Sequence, residues 1–296
     1  MRSLRRFREA GFAVECVPEA EGPVRTRLLP DPSVALSDGD LVKRNMYRAV
    51  ARVRLQGLGP VALKVHVPHG LADTIRNVFR ASRARAEWRA ARYLEGAGIP
   101  TARPLLVAER RRGPLLKKAA YATSLLEDRT TFEPALLAHA PRERHALERR
   151  AAAWIRAFHD RGVSHGDLHS GNVLVGGGPG DLCDLRILDL HTARVGRPVP
   201  RWRRDAQLAR WLHSLSASTG PGGRLRSLLA YLGSRPADRS TRAAWARLTR
   251  RLAAWERRRV RSRSRRCTEE NIHFTADCTP WIGWRRHEWT PDRIDR

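Results

Sequence analysis

The pattern of hydrophobic and polar positions divides the chain into a strand-rich part and a helix-rich part. Residues 41–67, LVKRNMYRAVARVRLQGLGPVALKVHV, alternate apolar residues with arginines and predict three strands separated by two turns. Residues 103–111 and 117–127 predict two further strands around a turn. Between these groups, residues 71–97 carry apolar side chains near helical spacing. The first half therefore predicts a mostly antiparallel sheet with one main helix.

The second half is mainly helical. Residues 142–161 predict a helix that Gly162 ends, and two or three more helices run to about Arg266. Two short apolar runs, NVLV and LRILDL, predict a small hairpin between them. We predict a two-lobed α+β fold, with residues 38–127 as the sheet lobe and residues 128–266 as the helical lobe. Residues 1–37 are interpreted as an N-terminal extension, and residues 267–296 as a C-terminal tail.

The net charge of the chain allows an anionic partner but is explained slightly better by general composition. The net charge of +27 is typical of proteins that bind nucleic acid or an anionic membrane surface. Only four of the basic residues are lysines, however: Lys43, Lys64, Lys117 and Lys118. A GC-rich coding sequence produces this excess of arginine without selection for binding. Nucleic acid therefore stays an alternative that the sequence does not favour.

The cysteines and the apolar runs indicate a reduced, cytoplasmic protein. The four cysteines show no CxxC pair and no zinc-ligand spacing. The N-terminus lacks the apolar run of a signal peptide, and no apolar segment approaches the roughly 18 residues of a membrane span. We expect a cytoplasmic protein that at most lies on a membrane surface.

Residues 163–175, VSHGDLHSGNVLV, carry the candidate chemistry. Asp167 and Asn172 lie in a polar loop that opens into a strand, and Asp189 follows the next strand of the hairpin. Phosphoryl transfer requires such oxygen ligands for Mg²⁺ and a carboxylate that orients the attacking hydroxyl. Lys64 lies within an apolar strand, and Glu87 on the following helix is its candidate partner. Taken alone, Lys64 is more typical of a strand-edge lysine.

These residues resemble a known family. HGDLHSGN fits the Asp-Leu-x-x-x-Asn catalytic loop of the protein-kinase-like fold, and the chain order Lys64, Glu87, Asp167, Asn172, Asp189 is the order of that fold. The wider text, including LVKRNMYRAVARV, ALKVHV, ILDLHTARV and CTEEN, is similar to the bacterial lipopolysaccharide core kinases, which include the Kdo and heptose kinases. The kinase-like resemblance covers about residues 38–266.

The resemblance implies a role for each of these positions. Asp167 would accept or orient the proton of the acceptor hydroxyl, and Asn172 and Asp189 would hold Mg²⁺. Lys64 would contact the α- and β-phosphates of ATP, with Glu87 fixing its orientation. The implied cofactors are ATP and Mg²⁺. The implied acceptor is a sugar hydroxyl of lipopolysaccharide core or of a related envelope glycolipid.

Three departures from the kinase pattern change the expectation. The turn VKRNMYRAV has no glycine to bring backbone N–H groups close to phosphates. Lys43, Arg44 and Arg48 are candidate replacements, or else solvated turn charges. Asp189 is followed by Leu-His instead of Phe-Gly, and no Ala-Pro-Glu segment follows. The last two departures argue against an ordinary protein kinase.

For several other residues, both a structural role and a functional role fit the sequence. We predict that His165 shapes the loop through backbone hydrogen bonds and that His159 is structural, whereas His169 contacts substrate or faces water. By resemblance, residues 123–127 are a hinge that pairs the adenine. The apolar stripe within residues 241–266 packs on its own domain or lies on a membrane, and the tail tryptophans Trp281, Trp284 and Trp289 fit either interpretation.

Two other functions stay open at this point. The chain fits a kinase-fold enzyme that phosphorylates a protein or a soluble small molecule. It also fits a non-catalytic basic scaffold that binds nucleic acid, which steep salt dependence of binding without ATP turnover would reveal.

Overall fold

A computed structural model describes residues 3–29, 31–45, 48–176, 184–235 and 238–267, together with two short strands further on. The strands are β1 Arg5–Glu9, β2 Phe12–Cys16, β3 Asp40–Asn45, β4 Arg48–Leu55, β5 Gly59–His66, β6 Pro104–Arg112, β7 Leu115–Ser124, β8 Thr130–Thr131, β9 Val173–Gly176, β10 Asp184–Ile187, β11 Phe274–Asp277 and β12 Gly283–Arg286. The helices are α1 Glu21–Pro23, α2 Pro32–Ser37, α3 Gly70–Phe79, α4 Arg83–Gly96, α5 Phe132–Ala138, α6 Pro141–Asp160, α7 Arg201–Ser214, α8 Pro221–Leu232 and α9 Arg239–Cys267.

The N-terminal lobe is built on one antiparallel sheet. Its seven strands have the order β1-β2-β6-β7-β5-β4-β3. Strand β5 lies inside the sheet, because it pairs with β4 on one side and β7 on the other, so Lys64 sits opposite Val50 and Tyr121. This sheet confirms the predicted fold class of the lobe and places Lys64 away from an edge.

Alternation along the strands gives the sheet two buried faces. Ala120 and Ala122 of β7 join an apolar cluster on one face, whereas Ala119 and Tyr121 join the cluster that contains α4. Successive side chains of a strand point to opposite faces. Helix α4 thus packs directly beneath the strands that carry Lys64, and the second cluster continues into the helical lobe.

Residues 1–37 were expected to form an extension, but their strands belong to the sheet. β1 and β2 form a hairpin whose Ala10 and Gly11 both have positive φ, as a two-residue hairpin turn requires. β2 then pairs with β6. The following residues cover the second face of the sheet with buried apolar side chains, among them Val17, Val24 and Leu28. The alternation of Phe12, Val14 and Cys16, all buried, is the sequence signal for this strand.

The single helix predicted over residues 71–97 is two helices. α3 ends before Arg80, which has an extended backbone, and α4 begins after Ser82. The Ser82 hydroxyl accepts a hydrogen bond from the Arg85 N–H at 3.0 Å, which is the usual capping contact of a helix start. The break separates an exposed helix, α3, from the buried helix that carries Glu87.

The C-terminal lobe is mainly helical, as predicted. The hairpin β9–β10 is antiparallel, with β8 added to its edge, and its turn at 177–183 lies outside the described residues. The stripe of α9 packs on its own domain: Leu248 and Leu252 are buried, and Trp255 contacts the ring of His213. The C-terminal tail contains the antiparallel pair β11–β12. Trp281, Trp289 and the side chain of Trp284 lie outside the described residues.

Candidate active site

A cleft between the two lobes collects most of the predicted site residues. It encloses about 450 Å³ and is lined by Lys43, Lys64, Glu87, Asn172 and Asp189, among others. Residues 123–126 of the predicted hinge line the same cleft. Asp167 lies beside it, since the Asn172 side-chain amide donates a hydrogen bond to the Asp167 carbonyl at 2.9 Å. The structure therefore brings together residues that are up to 146 positions apart in the chain, from Lys43 to Asp189.

Lys64 and Glu87 form a buried ion pair across the N-terminal lobe. The ammonium of Lys64 donates to Oε1 of Glu87, and the Glu87 side chain is only 3% exposed. Strand β5 supplies the lysine and α4 supplies the glutamate, because both pack in the interior of the lobe. Removing one partner of such a pair leaves an uncompensated buried charge. The pairing holds the Lys64 ammonium at the wall of the cleft.

The loop before Asp167 is fixed by His165, which is fully buried. Its Nδ1 accepts a hydrogen bond from the Asp167 N–H at 3.2 Å, so its Nε2 carries the proton and faces the carbonyls of Leu188 and Asp189, 3.1 and 3.0 Å away. Burial lowers the pKa of His165 and keeps the imidazole neutral. This arrangement confirms the predicted structural role and ties the Asp167 loop to the Asp189 segment.

Gly166, directly before Asp167, is required by close packing. A Cβ at this position would lie 2.8 Å from Cβ of Thr192 and 2.9 Å from its hydroxyl oxygen. No larger residue fits without displacing the segment that follows Asp189. The Gly-Asp form of the catalytic loop is therefore a packing requirement in this chain.

Two side chains, from Arg210 and His169, contact the Asp167 carboxylate, which is about half exposed. Arg210 of α7 donates to Oδ1 at 3.0 Å and also bonds the Gly166 carbonyl. The Nε2 of His169 lies 3.5 Å from Oδ2, and its Nδ1 accepts the Gly171 N–H. The interaction with His169, aided by the charge of Arg210, lowers the pKa of Asp167. Asp167 is thus ionised at neutral pH and faces solvent.

Asp189 occupies a constrained and strongly cationic position. Its backbone is left-handed, with φ 57° and ψ 54°, which Asp tolerates better than most residues. Its Oδ1 accepts hydrogen bonds from His191 at 2.7 Å and from Arg48 at 3.3 Å. Burial opposes ionisation, but the His191 hydrogen bond and the charges of His191, Lys64 and Arg48 outweigh it and hold the pKa of Asp189 far below its usual range.

The donor atoms of Asn172 and Asp189 fit a magnesium ion. The Asn172 amide nitrogen is engaged by Asp167, so its Oδ1 stays available, and Oδ2 of Asp189 accepts no hydrogen bond from any described residue. Within the same part of the chain, no group of three or more His, Cys, Asp or Glu residues can hold a metal. One carboxylate and one amide match Mg²⁺, which keeps waters and takes its other ligands from nucleotide phosphates.

The hairpin of β3 and β4 supplies cations to the cleft through two of its three predicted residues: Lys43 and Arg44 lie in β3, and Arg48 begins β4. Lys43 lines the cleft, and Arg48 reaches Asp189, whereas Arg44 is exposed and does not line it. Met46 and Tyr47, at the tip of the turn, lie outside the described residues.

Three residues of the site were missed in the sequence analysis: Arg210, His191 and Gln207. Arg210 and His191 bind the two candidate catalytic carboxylates, and Oε1 of Gln207 accepts from both His159 and the backbone of His165. His191 lies two residues from Asp189, which was a usable signal. Arg210 and Gln207 lie on a helix rich in arginine, where nothing in the sequence marks them out.

Comparison with known proteins identifies the family. The sequence profile of the Lipopolysaccharide kinase (Kdo/WaaP) family matches residues 37–252. The chain belongs to this family. Two similar relatives are lipopolysaccharide core heptose(I) kinases WaaP: the Pseudomonas aeruginosa protein is 26% identical over 215 residues, 68% of this chain and 80% of the relative. The Escherichia coli K12 protein is 26% identical over 183 residues, 58% of this chain and 69% of the relative.

A solved structure supports the same fold. WaaP in complex with acyl carrier protein superposes with a TM-score of 0.61 at 24% identity, over 80% of this chain and 95% of that chain. The protein is therefore a kinase of the lipopolysaccharide core family with a protein-kinase-like fold. No helix among the described residues is long and apolar enough to cross a membrane.

Proposed function

We propose that this kinase transfers the γ-phosphoryl group of ATP, with Mg²⁺, to a hydroxyl of a lipopolysaccharide-core sugar or a related envelope glycolipid. The observation that carries the proposal is the link between Asp167 and Asn172 at 2.9 Å. This hydrogen bond keeps Asp167, whose ionised carboxylate is about half exposed, next to Asn172, which lines the cleft. An acceptor hydroxyl and a nucleotide phosphate can thus meet at one loop.

In this proposal Asp167 orients the acceptor hydroxyl and accepts its proton as the phosphoryl group moves. The transition state of phosphoryl transfer is loose, so positioning and charge neutralisation supply most of the rate enhancement. A carboxylate with a lowered pKa suits this task, because it stays ionised when the hydroxyl approaches. Arg210 and His169 fix its direction.

Lys64 and Lys43 would contact the nucleotide phosphates from the N-terminal lobe, with Glu87 orienting Lys64. Asn172 and Asp189 would hold Mg²⁺, which when bound neutralises phosphate charge during transfer. Backbone groups within residues 123–127 would pair the adenine, since this segment lines the end of the cleft where β7 leaves the sheet. ATP as donor places the reaction in the cytoplasm.

Peripheral contact with the anionic inner-membrane surface is part of the proposal, because a glycolipid acceptor resides there. Helix α3 presents Leu71, Ile75 and Phe79 on one face, and these side chains are 82%, 57% and 84% exposed. Arg80 follows them and is also exposed. An exposed apolar stripe beside cationic residues is the pattern of a helix that lies at an anionic lipid surface.

The test is transfer of radiolabelled γ-phosphate from ATP by the purified protein to a panel of acceptors. The panel contains lipopolysaccharide-core glycolipid in vesicles with and without anionic phospholipid, an aminoglycoside, and a general protein substrate. The proposal expects label in the glycolipid alone, dependence on Mg²⁺, and more protein cosedimenting with anionic vesicles. Label in the protein or the aminoglycoside instead would overturn the acceptor assignment.

A further inference from the structure

A second concavity lies on the other side of the catalytic loop from the nucleotide cleft. It encloses about 590 Å³, and its walls come from the loop itself, the segment after Asp189, and helices α7 and α9. The two cavities share no lining residue. Asp167 lies between them, because its carbonyl contacts Asn172 of the cleft and its carboxylate contacts Arg210 of the concavity.

The concavity is lined by arginine and contains no acidic residue among its described lining. We call it the arginine groove after its five arginines: Arg194, Arg203, Arg210, Arg251 and Arg258. Arg210 binds Asp167, and the guanidinium of Arg203 lies 4.8 Å from the ring of Trp202. No carboxylate lies within ion-pair distance of Arg194, Arg251 or Arg258 in the described structure.

Other arginines of the same two helices are paired with acids. Arg204 of α7 binds Asp160, and Arg247 of α9 binds Asp205 at 3.1 Å. Both lie outside the groove lining. In the groove lining, by contrast, Arg194, Arg251 and Arg258 have no such acidic partner among the described residues.

The chemistry of the groove suits carboxylate or phosphate groups. A guanidinium binds such groups through two parallel N–H donors, and it holds them more specifically than a lysine does. Trp202, 58% exposed, and Trp255 add flat apolar faces to the lining. A ligand with several anionic groups on a sugar framework matches both features.

We propose that the arginine groove is the acceptor subsite, and that it binds anionic groups already present on the acceptor sugar while a neighbouring hydroxyl reaches Asp167. The inference rests on the proposed function. It names residues for acceptor recognition that lie outside the nucleotide cleft: Arg194, Arg251 and Arg258. It also implies that a reaction adding acidic sugars or phosphates to the acceptor precedes this phosphorylation.

The test compares Arg251→Gln/Arg258→Gln with the matched control Arg250→Gln/Arg257→Gln. The control removes the same charge from the same helix at exposed positions outside the groove. Loss of two charge-assisted contacts is expected to raise the KM for the core glycolipid about 100-fold, roughly tenfold for each arginine, with the KM for ATP unchanged. The control is expected to stay within about twofold of the wild type.

Binding gives a readout that does not depend on transfer. Tryptophan fluorescence of each variant is titrated with core oligosaccharide, either intact or with its phosphates removed and its carboxylates reduced. The inference predicts binding of the intact form by wild type and control, and weak binding of the neutralised form by all proteins. If no variant transfers phosphate but this pattern holds, the proposed function fails and the anion site stands.

Three results would overturn the inference. Equal effects of the groove and control variants would indicate bulk charge alone. Unchanged affinity of the groove variant for the intact oligosaccharide would place the acceptor elsewhere. Loss of binding to a DNA oligonucleotide, with oligosaccharide binding retained, would assign the groove to nucleic acid.

Discussion

The proposed nucleotide cleft and the arginine groove lie on either side of the loop that carries Asp167. They differ in whether their cationic side chains are paired with acidic residues. In the cleft, Lys64 binds Glu87 and Arg48 binds Asp189, so these cations are directed by buried or half-buried acids. In the groove, Arg251 and Arg258 face no acid among the described residues. In a chain with a net charge of +27, the pairing of each cation is therefore more informative than the number of cations.

Breaking the cleft pair is expected to have the largest effect. Lys64→Met leaves Glu87 as a buried charge without its partner, which costs roughly 3–5 kcal/mol of unfolding free energy. It is also expected to reduce phosphate transfer about 100-fold or more, because the proposed contact of Lys64 with the nucleotide phosphates is lost. Denaturant unfolding and steady-state transfer measure the two effects separately.

The matched control for this prediction is Lys64→Met/Glu87→Met. Replacing both partners by apolar residues removes the uncompensated charge, so the double variant is expected to recover most of the stability and none of the activity. Recovery of transfer in the double variant would show that Lys64 acts only through folding.

Arg210 lies where the two regions meet, and its removal is expected to have an intermediate effect. Arg210→Gln takes a cation away from the Asp167 carboxylate, which raises the Asp167 pKa and loosens its orientation. We expect about a tenfold fall in kcat, an unchanged KM for ATP, and a shift of the acidic limb of the pH–rate profile to higher pH.

Arg204→Gln is the control for Arg210, because Arg204 lies on the same helix and binds Asp160, away from the loop. Its pH–rate profile is expected to match the wild type. An identical shift in both variants would mean that the net charge of α7, and not the contact with Asp167, sets the acidic limb.

The smallest effect concerns the pH dependence of stability. Burial lowers the pKa of His159 to about 4, and the neutral ring bonds Tyr231 and Gln207 beneath the catalytic loop. The unfolded chain binds a proton at His159 below about pH 6.5 and the folded chain does not, so stability falls as the pH drops from 6.5 to 4. Each pH unit in this window costs about 1.4 kcal/mol per histidine.

His159→Gln removes this contribution and is expected to lower the slope of the unfolding free energy against pH between 6.5 and 4 by about 1.4 kcal/mol per pH unit, while the contribution of buried His165 remains. A slope unchanged by His159→Gln would place the acid-sensitive group elsewhere.

The spacing of apolar and polar residues along the sequence predicted the parts of the fold and site that are formed by residues close together in the chain. The strand alternation around Lys64 and the loop spacing from Asp167 to Asn172 both correspond to observed structure. The β1–β2 hairpin was missed because Arg5, Arg6 and Arg8 hide the alternation of the first strand. The break at Ser82 was missed because apolar spacing continues on both sides of it.

Contacts between distant segments could not be predicted in the same way. Arg210 reaches Asp167 across 43 positions, and its helix contains other arginines with the same local surroundings. The groove likewise depends on how α7 and α9 pack, which sets the arginines that meet acids and those that do not. The sequence alone therefore shows how many charged residues the chain has, but not which of them form ion pairs.

The most direct test of the account is the phosphate content of core glycolipid after incubation with Mg-ATP and either wild type or Asp167→Asn, read by mass spectrometry. The variant keeps the size of the side chain and removes its charge. The account predicts one added phosphate per acceptor with the wild type, a rate lower by about 100-fold or more with Asp167→Asn, and similar ATP affinity for both. Equal phosphate transfer by the two proteins would contradict the role of Asp167 and with it the proposed mechanism.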